Sequence, residues 1–186
     1  MSQFSIFDTP LSGLKVIERK PIGDSRGHLA RIFCADQLKD AGWEKPIAQI
    51  NQTMTKNRGT VRGLHFQTPP YAEMKLISCL QGEIWDVAVD LRKNSPTFLQ
   101  WHAEKLSSEN YRALLIPEGF SHGFQTLTDD CELLYLHSTP YKPAAEGGIR
   151  PNDPHLTITW PLDFYDISVR DSEHPLLDDL FEGIEL

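Results

Sequence analysis

Two glycines, an arginine and a histidine interrupt an otherwise apolar run, Gly59-Thr-Val-Arg-Gly-Leu-His-Phe-Gln67. A histidine can take up a proton near neutral pH, and an arginine binds anionic oxygens through a planar fork of donors. Glycine inside a strand often marks the close approach of a ligand or of another backbone. Strand alternation predicts that His65 lies on the face of Val61, with Arg62 opposite unless a bulge intervenes. The run is a candidate for a base beside an anion site; the alternative is a core histidine and a surface arginine.

A second turn, Pro117-Glu-Gly-Phe-Ser-His-Gly-Phe124, resembles the second sequence box of the cupin superfamily, in which a turn delivers a histidine into a small β-barrel. Cupins that bind metal usually carry a His-x-His pair and a downstream glutamate in their first box as well. Here the corresponding region offers only His65, followed by Phe66 and Gln67. Because a metal site needs three or four convergent ligands, we expect no metal here.

Short strand-like runs dominate the chain around these motifs. Glu83–Leu91 alternates, Lys75–Leu80 precedes it, and Gln81-Gly82 between them is typical of a hairpin turn. Further runs are Ala30–Cys34, Ile47–Thr53, Thr60–Gln67, Thr97–Ala103, Ala113–Ile116, Gly123–Leu127, Glu132–His137 and Leu156–Trp160. Helix is predicted only at Ala35–Ala41 and around Pro175–Phe181. Short strands at close spacing indicate an all-β sandwich or barrel with short peripheral helices.

The length of the chain predicts the number of domains, and its charge argues against one class of function. The 186 residues predict one domain, 1–186, in which the segment 163–186 packs on the barrel. The net charge of −8 argues against a general nucleic-acid binder. The segment from Asp163 to Leu186 is strongly acidic and contains one base, Arg170, whereas Lys45–Ala72 contains no acid. The acid-free stretch either serves an anionic small molecule or is a solvated face.

The chain is expected to act away from membranes and in a reducing compartment. No apolar run approaches the roughly 20 residues of a membrane span, and the N-terminus lacks a signal-peptide pattern. The three cysteines, Cys34, Cys79 and Cys131, are widely spaced and form no C-x-x-C pair. This usage predicts a cytoplasmic protein without a disulfide scaffold.

The run Gly59–Gln67, called the glycine-rich run below, is followed by further blocks in one order along the chain. They are Lys75, Gly82–Arg92, Ser95-Pro-Thr97, Leu106–Asn110, Ile116–Phe124, Leu134-Tyr135, Gly148-Ile-Arg150, Asn152-Asp-Pro154 and Ile158–Pro161. From about Asp24 to Leu177 the chain thereby resembles the dTDP-4-dehydrorhamnose 3,5-epimerase family. The resemblance implies a cupin-type double-stranded β-helix, or jelly roll. It also implies epimerisation at C3, C5 or both of a nucleotide-diphosphate-linked 4-keto-6-deoxy sugar, in deoxysugar or surface-polysaccharide biosynthesis.

The resemblance assigns four catalytic residues. His65 matches the base, and Asp171 matches the carboxylate that orients and charges it. Tyr135 matches the acid that returns a proton to the far face of the sugar, and Lys75 matches the ammonium near the C4 oxygen. Such an enzyme needs no metal or redox cofactor, because protons beside a ketone can be removed once the enolate oxygen is stabilised. Taken singly, these residues could instead belong to the acidic tail, the core or a strand edge.

The resemblance also implies substrate-binding residues and a homodimer. Arg62 and His122 match further active-site positions, and the nucleotide contacts are Arg26, Gln49 and Asn51. In this family the Arg-Gly segment, here Arg26-Gly27, is exchanged between subunits. The nucleotide base, the sugar and the inverted centres stay open at this point. So do two alternatives, a nucleotide-sugar 3,4-ketoisomerase and a non-catalytic sugar-nucleotide-binding jelly roll.

Overall fold

A computed structural model describes residues 2–186. The strands are β1 (Phe4–Asp8), β2 (Lys15–Arg19), β3 (Ile22–Asp24), β4 (Gly27–Leu29), β5 (Gln49–Thr55), β6 (Thr60–Gln67), β7 (Lys75–Gln81), β8 (Glu83–Asp90), β9 (Trp101–Ser107), β10 (Arg112–Ile116), β11 (Phe120–Thr126), β12 (Cys131–His137), β13 (Glu146–Gly148) and β14 (Asp166–Ile167). The helices are α1 (Ala35–Leu38) and α2 (Val169–Glu173), with 3₁₀ turns at Lys39–Ala41 and Pro143–Ala145.

Two sheets form the body of the fold. Sheet A has the order β1-β2-β10-β7-β12-β5, and sheet B has the order β13-β6-β11-β8-β9, with β14 also paired to β6. Strands adjacent in a sheet are mostly distant in sequence, as in β10–β7 and β11–β6. This crossing of the chain between two facing sheets confirms the predicted jelly-roll class, and its helices are short and peripheral.

Apolar side chains fill three layers. Between the sheets, Ile77 and Leu114 of sheet A pack with Ile84 and Phe124 of sheet B. The outer face of sheet A is covered by the segment around α1, including Leu38 and Trp43, which explains why these strands are apolar on both faces. The outer face of sheet B is covered by residues after Gly148, among them Leu156, Leu177 and Ile184.

The C-terminal segment also completes sheet B. β14 pairs in parallel with Thr60 and Val61 of β6, and Ile184 forms a bridge to Arg92. These contacts place residues 166–184 along the same sheet that carries the glycine-rich run. Within the described residues 2–186, no helix has both the length and the apolar character to cross a membrane.

Three predicted elements and one predicted turn are wrong. Gln81-Gly82 closes no hairpin, because it carries the chain from β7 in sheet A to β8 in sheet B, and these two strands do not pair. Ala30–Cys34 and Leu156–Trp160 form no strand, because their apolar residues pack on the outer faces of the sheets as irregular chain. The predicted helix at Pro175–Phe181 is absent, and the helix begins earlier, at Val169. Ser168 caps it by accepting a hydrogen bond from the Asp171 amide at 3.0 Å.

Strands β1 to β4 and β13 to β14, together with part of β9, lie outside the predicted runs. β1 and β2 pair with each other, and β2 extends sheet A beside β10. β9 begins at Trp101 rather than at Thr97, because the Thr97 hydroxyl donates to Asp90 at 2.6 Å and holds a turn there. The other predicted strands coincide with observed ones to within a few residues at each end.

Candidate active site

A cavity of about 550 Å³ opens between the two sheets. Side chains from both sheets and from the C-terminal segment line it. They are Asn51, Thr53, Thr60, Val61, Arg62, His65, Phe66, Gln67, Glu73, Lys75, His122, Phe124, Tyr135, His137, Tyr141, Glu146, Asp166, Ser168, Arg170 and Asp171, with the backbone of Gly123. Such a volume suits a small organic ligand.

A bulge in β6 turns Arg62 and His65 to the same cavity. His65 lies opposite His122 of β11, but Arg62 lies opposite Phe124, so three steps on β6 span two on β11. The extra residue reverses the alternation beyond it, which corrects the expectation that Arg62 faces away. The backbones approach closely here, and a Cβ on Gly63, whose φ is +118°, would lie 2.5 Å from the Gly123 Cα.

His65 and Asp171 form a hydrogen-bonded pair. The His65 Nε2 lies 2.8 Å from the Asp171 Oδ1, and the Gly63 amide donates to Oδ2 at 3.1 Å. Burial alone would raise the pKa of Asp171, but the hydrogen bonds from His65 and Gly63 outweigh it and hold that pKa well below its usual range. The ionised carboxylate keeps a proton on Nε2, so Nδ1 is the nitrogen left to accept a proton.

Arg170 borders the pair at the mouth of the cavity. Its guanidinium donates to Asp171 at 3.3 Å and to Glu146 at 3.2 Å. Its Nη2 also lies 3.0 Å from the His65 Nε2, which cannot accept from it while Nε2 carries the proton held by Asp171. The side chain is 55% exposed, whereas that of Asp171 is 3% exposed. Arg170 therefore links the carboxylates of Asp171 and Glu146 at the exposed side of the pair.

Tyr135 approaches from the opposite sheet, on β12. Burial and the nearby Asp86 raise the pKa of its phenol well above the ordinary value, so the hydroxyl keeps its proton at neutral pH. The ring meets the His122 imidazole edge-on, with centroids 6.0 Å apart. The His122 Nε2 in turn lies 2.7 Å from the Asp86 Oδ1. A protonated phenol thus faces an imidazole–carboxylate pair across the space between the sheets.

Lys75 is a buried cation at the start of β7. Its Nζ lies 3.2 Å from the Glu73 Oε1 and donates to the His65 carbonyl oxygen at 3.2 Å. The second Glu73 oxygen lies 2.8 Å from the His137 Nδ1. The ammonium is therefore fixed beside His65, where it can stabilise an oxyanion.

The expected substrate-binding residues divide into three groups. Arg62, Asn51 and His122 line the cavity, and the Arg62 side chain has no hydrogen-bond or ion-pair partner among residues 2–186. Gln49 lies next to the cavity wall, where its side chain bonds Asn51 and the Tyr141 amide. Arg26 lies apart from this cavity, on the β3–β4 hairpin, where it bonds Asp24 and its side chain is 88% exposed.

The structure brings in charged residues that the motifs did not single out: Glu73, Asp86, His137, Glu146, Arg170 and His174. Arg170 had a signal in the sequence, because it is the one base of an acidic segment and adjoins Asp171. Glu73 and His137 had none, because they lie 64 residues apart along the chain and meet only when β7 and β12 pair.

One group of three potential metal ligands occurs among residues 2–186. Donor atoms of His65, Asp171 and His174 lie within 4.8 Å of one another. The Arg170 guanidinium, 3.0 Å from the His65 Nε2, already supplies positive charge at this point. The donor set therefore fits a hydrogen-bonded base better than a metal centre.

Several known proteins are similar to this chain in both sequence and fold. The family model described as dTDP-4-dehydrorhamnose 3,5-epimerase matches residues 8–179. The Salmonella typhimurium dTDP-4-dehydrorhamnose 3,5-epimerase is 41% identical over 93% of this chain and 95% of its own length. The Bacillus anthracis enzyme, solved with TDP and pyrophosphate bound, is 39% identical with a TM-score of 0.90, over 94% of this chain and 99% of its own.

A third relative was solved with a sugar nucleotide. The Legionella pneumophila dTDP-6-deoxy-D-glucose-3,5-epimerase, in complex with dTDP-4-keto-L-rhamnose, is 39% identical with a TM-score of 0.89, over 93% of this chain and 92% of its own. The match thus extends over the glycine-rich run, both sheets and the helix that carries Asp171. On these grounds the chain belongs to the dTDP-4-dehydrorhamnose 3,5-epimerase family.

Proposed function

We propose that the protein epimerises a dTDP-linked 4-keto-6-deoxy sugar at C3 and C5 by deprotonation and reprotonation. The observation that carries this function is the placement of a base and an acid on opposite sheets. His65, paired with Asp171, lies on β6 of sheet B, and Tyr135 lies on β12 of sheet A. A sugar held between them has one face toward each, which is what inversion of a carbon centre requires.

The steps follow from the three groups around the cavity. The His65 Nδ1 takes the proton from the carbon beside the C4 ketone, and the electron pair of that C–H bond moves to the C4 oxygen. The Lys75 ammonium stabilises the resulting enolate. The Tyr135 hydroxyl then gives its proton to the opposite face of the carbon, the ketone reforms, and the tyrosinate regains a proton from solvent. His65 releases the proton it took to solvent, and the second centre, on the other side of the ketone, then reacts in the same way.

The nucleotide part of the substrate is assigned to the basic and amide side chains at the cavity. Arg62 and Arg170 offer guanidinium groups to the diphosphate, since bidentate donors match phosphate oxygens. Asn51 and Gln49 lie on the adjoining strand β5 and can contact the nucleoside. In this proposal Arg26 reaches a neighbouring active site from the partner subunit of a homodimer.

The biological setting belongs to the same proposal. A nucleotide sugar inverted next to a ketone is an intermediate for deoxysugar or surface-polysaccharide synthesis. All three cysteines are free, and two of them, Cys79 and Cys131, are buried. Free thiols are typical of a reducing cytoplasm, to which we assign the protein.

Solvent deuterium wash-in at C3 and C5 tests the function. The wild type is expected to place deuterium at both positions of dTDP-4-keto-6-deoxyglucose and to invert both. His65→Ala should reduce wash-in by about 1,000-fold, because general-base catalysis contributes on that order. Label at C3 alone would narrow the activity to a 3-epimerase. Binding of the nucleotide sugar without any wash-in would instead support the non-catalytic module.

Tyr135→Phe separates the two half-reactions in the same assay. The variant keeps the base and the ammonium, so wash-in should persist at more than a tenth of the wild-type rate while inversion falls by about 100-fold. Equal loss of wash-in and inversion would remove Tyr135 as the acid. Movement of the carbonyl from C4 to C3, seen by NMR, would identify a ketoisomerase.

A further inference from the structure

Two buried groups that line the cavity, Glu73 and His137, have no role in the steps above. Glu73, in the segment before β7, contacts two cavity residues: the Lys75 Nζ at 3.2 Å and the His137 Nδ1 at 2.8 Å. The exposed fractions of the Lys75, Glu73 and His137 side chains are 8%, 9% and 11%. The His137 ring lies nearly parallel to the Tyr135 ring, at 8° and 6.0 Å between centroids.

Such burial makes Lys75 dependent on Glu73. An ammonium withdrawn from water is costly unless an anion and hydrogen bonds replace its hydration. Burial alone would raise the pKa of Glu73, but the hydrogen bond from His137 and the charge of Lys75 lower it below its ordinary value. Glu73 is thus a carboxylate at neutral pH, and His137 holds one of its oxygens while the other faces Lys75.

We propose that Glu73, oriented by His137, is a positioning residue that holds the Lys75 ammonium charged and in place for the enolate oxygen. The inference rests on the proposed function, since it assigns a task to Lys75. Glu73 acts through Lys75 and need not touch the substrate. His137 fixes the carboxylate from the neighbouring strand, because His137 and Lys75 are register partners in the β12–β7 pairing.

Other titratable groups face Lys75 from the elements packed around it. They are Glu73 from the preceding segment, His65 from β6, Asp86 from β8, and Tyr135 and His137 from β12. Asp86 is bonded to His122, and burial raises its pKa above the ordinary value. Glu73 is the one carboxylate within 4.0 Å of the Lys75 Nζ among the residues described.

The pH dependence of the Glu73→Gln variant tests the proposal. Glutamine keeps the shape and a hydrogen-bonding oxygen but removes the charge. We expect kcat at pH 7.5 to fall about tenfold while KM changes less than twofold, since only the developing oxyanion feels the loss. The alkaline limb of the kcat profile should move to lower pH, because the ammonium loses the anion that stabilises its charged form. An unchanged kcat, or a fall without movement of this limb, would overturn the proposal.

Two further variants test the role of His137 and control for the loss of a carboxylate outside the cavity. His137→Asn leaves the Glu73 charge in place and loosens its orientation, so kcat should fall about threefold with the alkaline limb unmoved; full activity would count against the role of His137. Glu104→Gln also removes a carboxylate paired with a cation, Arg112, but this pair lies outside the cavity. Its kcat and pH profile should match those of the wild type.

The failure of the proposed function and the failure of the positioning role give different results. If the wild type itself shows no wash-in, the proposed function fails. Wild-type wash-in with an unaffected Glu73→Gln variant rejects only the positioning role.

Discussion

Three imidazole–carboxylate pairs surround the cavity, and their burial differs. The pairs are His65–Asp171, His122–Asp86 and His137–Glu73. The His65 side chain is 24% exposed, against 6% for His122 and 11% for His137. A base must reach its substrate, so the most exposed imidazole is the one suited to proton abstraction. The other two pairs are better suited to support the acid and the ammonium.

Asp171→Asn tests this distinction. The amide keeps the shape of the carboxylate but no longer stabilises the imidazolium that forms when His65 takes a proton. Wash-in should fall about 100-fold with nucleotide binding retained, in line with the loss of an orienting carboxylate. Asp179→Asn, in the exposed part of the acidic tail, is the matched control and should behave as the wild type. An Asp171→Asn variant with full wash-in would show that His65 works without its partner.

The same carboxylate should make stability depend on pH. The pKa of Asp171 is lower in the folded protein than in the unfolded chain, so its stabilising contribution is present above the ordinary value near 4 and is lost as pH falls toward the folded value. Urea unfolding of wild type and Asp171→Asn should therefore give a constant difference in unfolding free energy from pH 7 to about 5. Below about pH 4 the difference should shrink. A difference that grows in acid would contradict the assignment.

At the scale of elements, the close contact of β6 with β11 sets the position of His65. Gly63 and Gly123 leave no room for a side chain: a Cβ on Gly123 would lie 2.6 Å from the Arg62 carbonyl oxygen. This contact adjoins the bulge that turns both Arg62 and His65 to the cavity, and it adjoins the Gly63 amide that bonds Asp171. The bulge in β6 therefore places both Arg62 and His65 at the cavity and leaves the Gly63 amide free to donate to Asp171.

Gly63→Ala tests how much the close contact of β6 with β11 contributes to the free energy of unfolding. Its Cβ would meet the Gly123 backbone at 2.5 Å in addition to the strain of a positive φ, so we expect a loss of about 3 kcal/mol in unfolding free energy. Gly42→Ala is the control, since Gly42 also has a positive φ of +100° but nothing within 4 Å of the added Cβ. That variant should lose about 1 kcal/mol. Equal losses in urea unfolding would mean that φ alone matters at Gly63.

These elements also show how far the sequence could predict the structure. Alternation and short apolar runs located β6, β7, β8 and β12. Gln81-Gly82 marked the boundary between β7 and β8, but the local sequence did not show that the chain crosses there from one sheet to the other. Leu156–Trp160 carries the same apolar signal yet covers a sheet without pairing, and local sequence does not distinguish those two uses. The bulge at Gly63 is a non-local effect, since the register of β11 decides it. The family resemblance implied Lys75 at the site, whereas its partners Glu73 and His137 come together only through the non-local pairing of β7 with β12.

The β3–β4 hairpin belongs to neither of the two sheets. It pairs only with itself, and its Ile22 and Leu29 are 62% and 66% exposed. Exposed apolar residues beside unpaired strand edges are typical of an interaction surface. Arg26 lies at the tip of this hairpin, bonded to Asp24, and it does not line the cavity of its own chain. A homodimer in which hairpins are exchanged would bring Arg26 to the partner's nucleotide.

Subunit mixing distinguishes this arrangement from a self-contained monomer. Arg26→Ala should raise KM for the nucleotide sugar about tenfold or more, and His65→Ala should reduce wash-in about 1,000-fold. If each site combines its own His65 with Arg26 of the partner subunit, a heterodimer of the two variants contains one intact site and one that lacks both residues. After denaturation and renaturation of an equal mixture, half the dimers are mixed, so about a quarter of the wild-type wash-in should return at low substrate concentration. Renatured single variants are the controls. A mixture no more active than the average of those controls would place Arg26 and His65 of each site in the same subunit, or leave the hairpin without a part in catalysis.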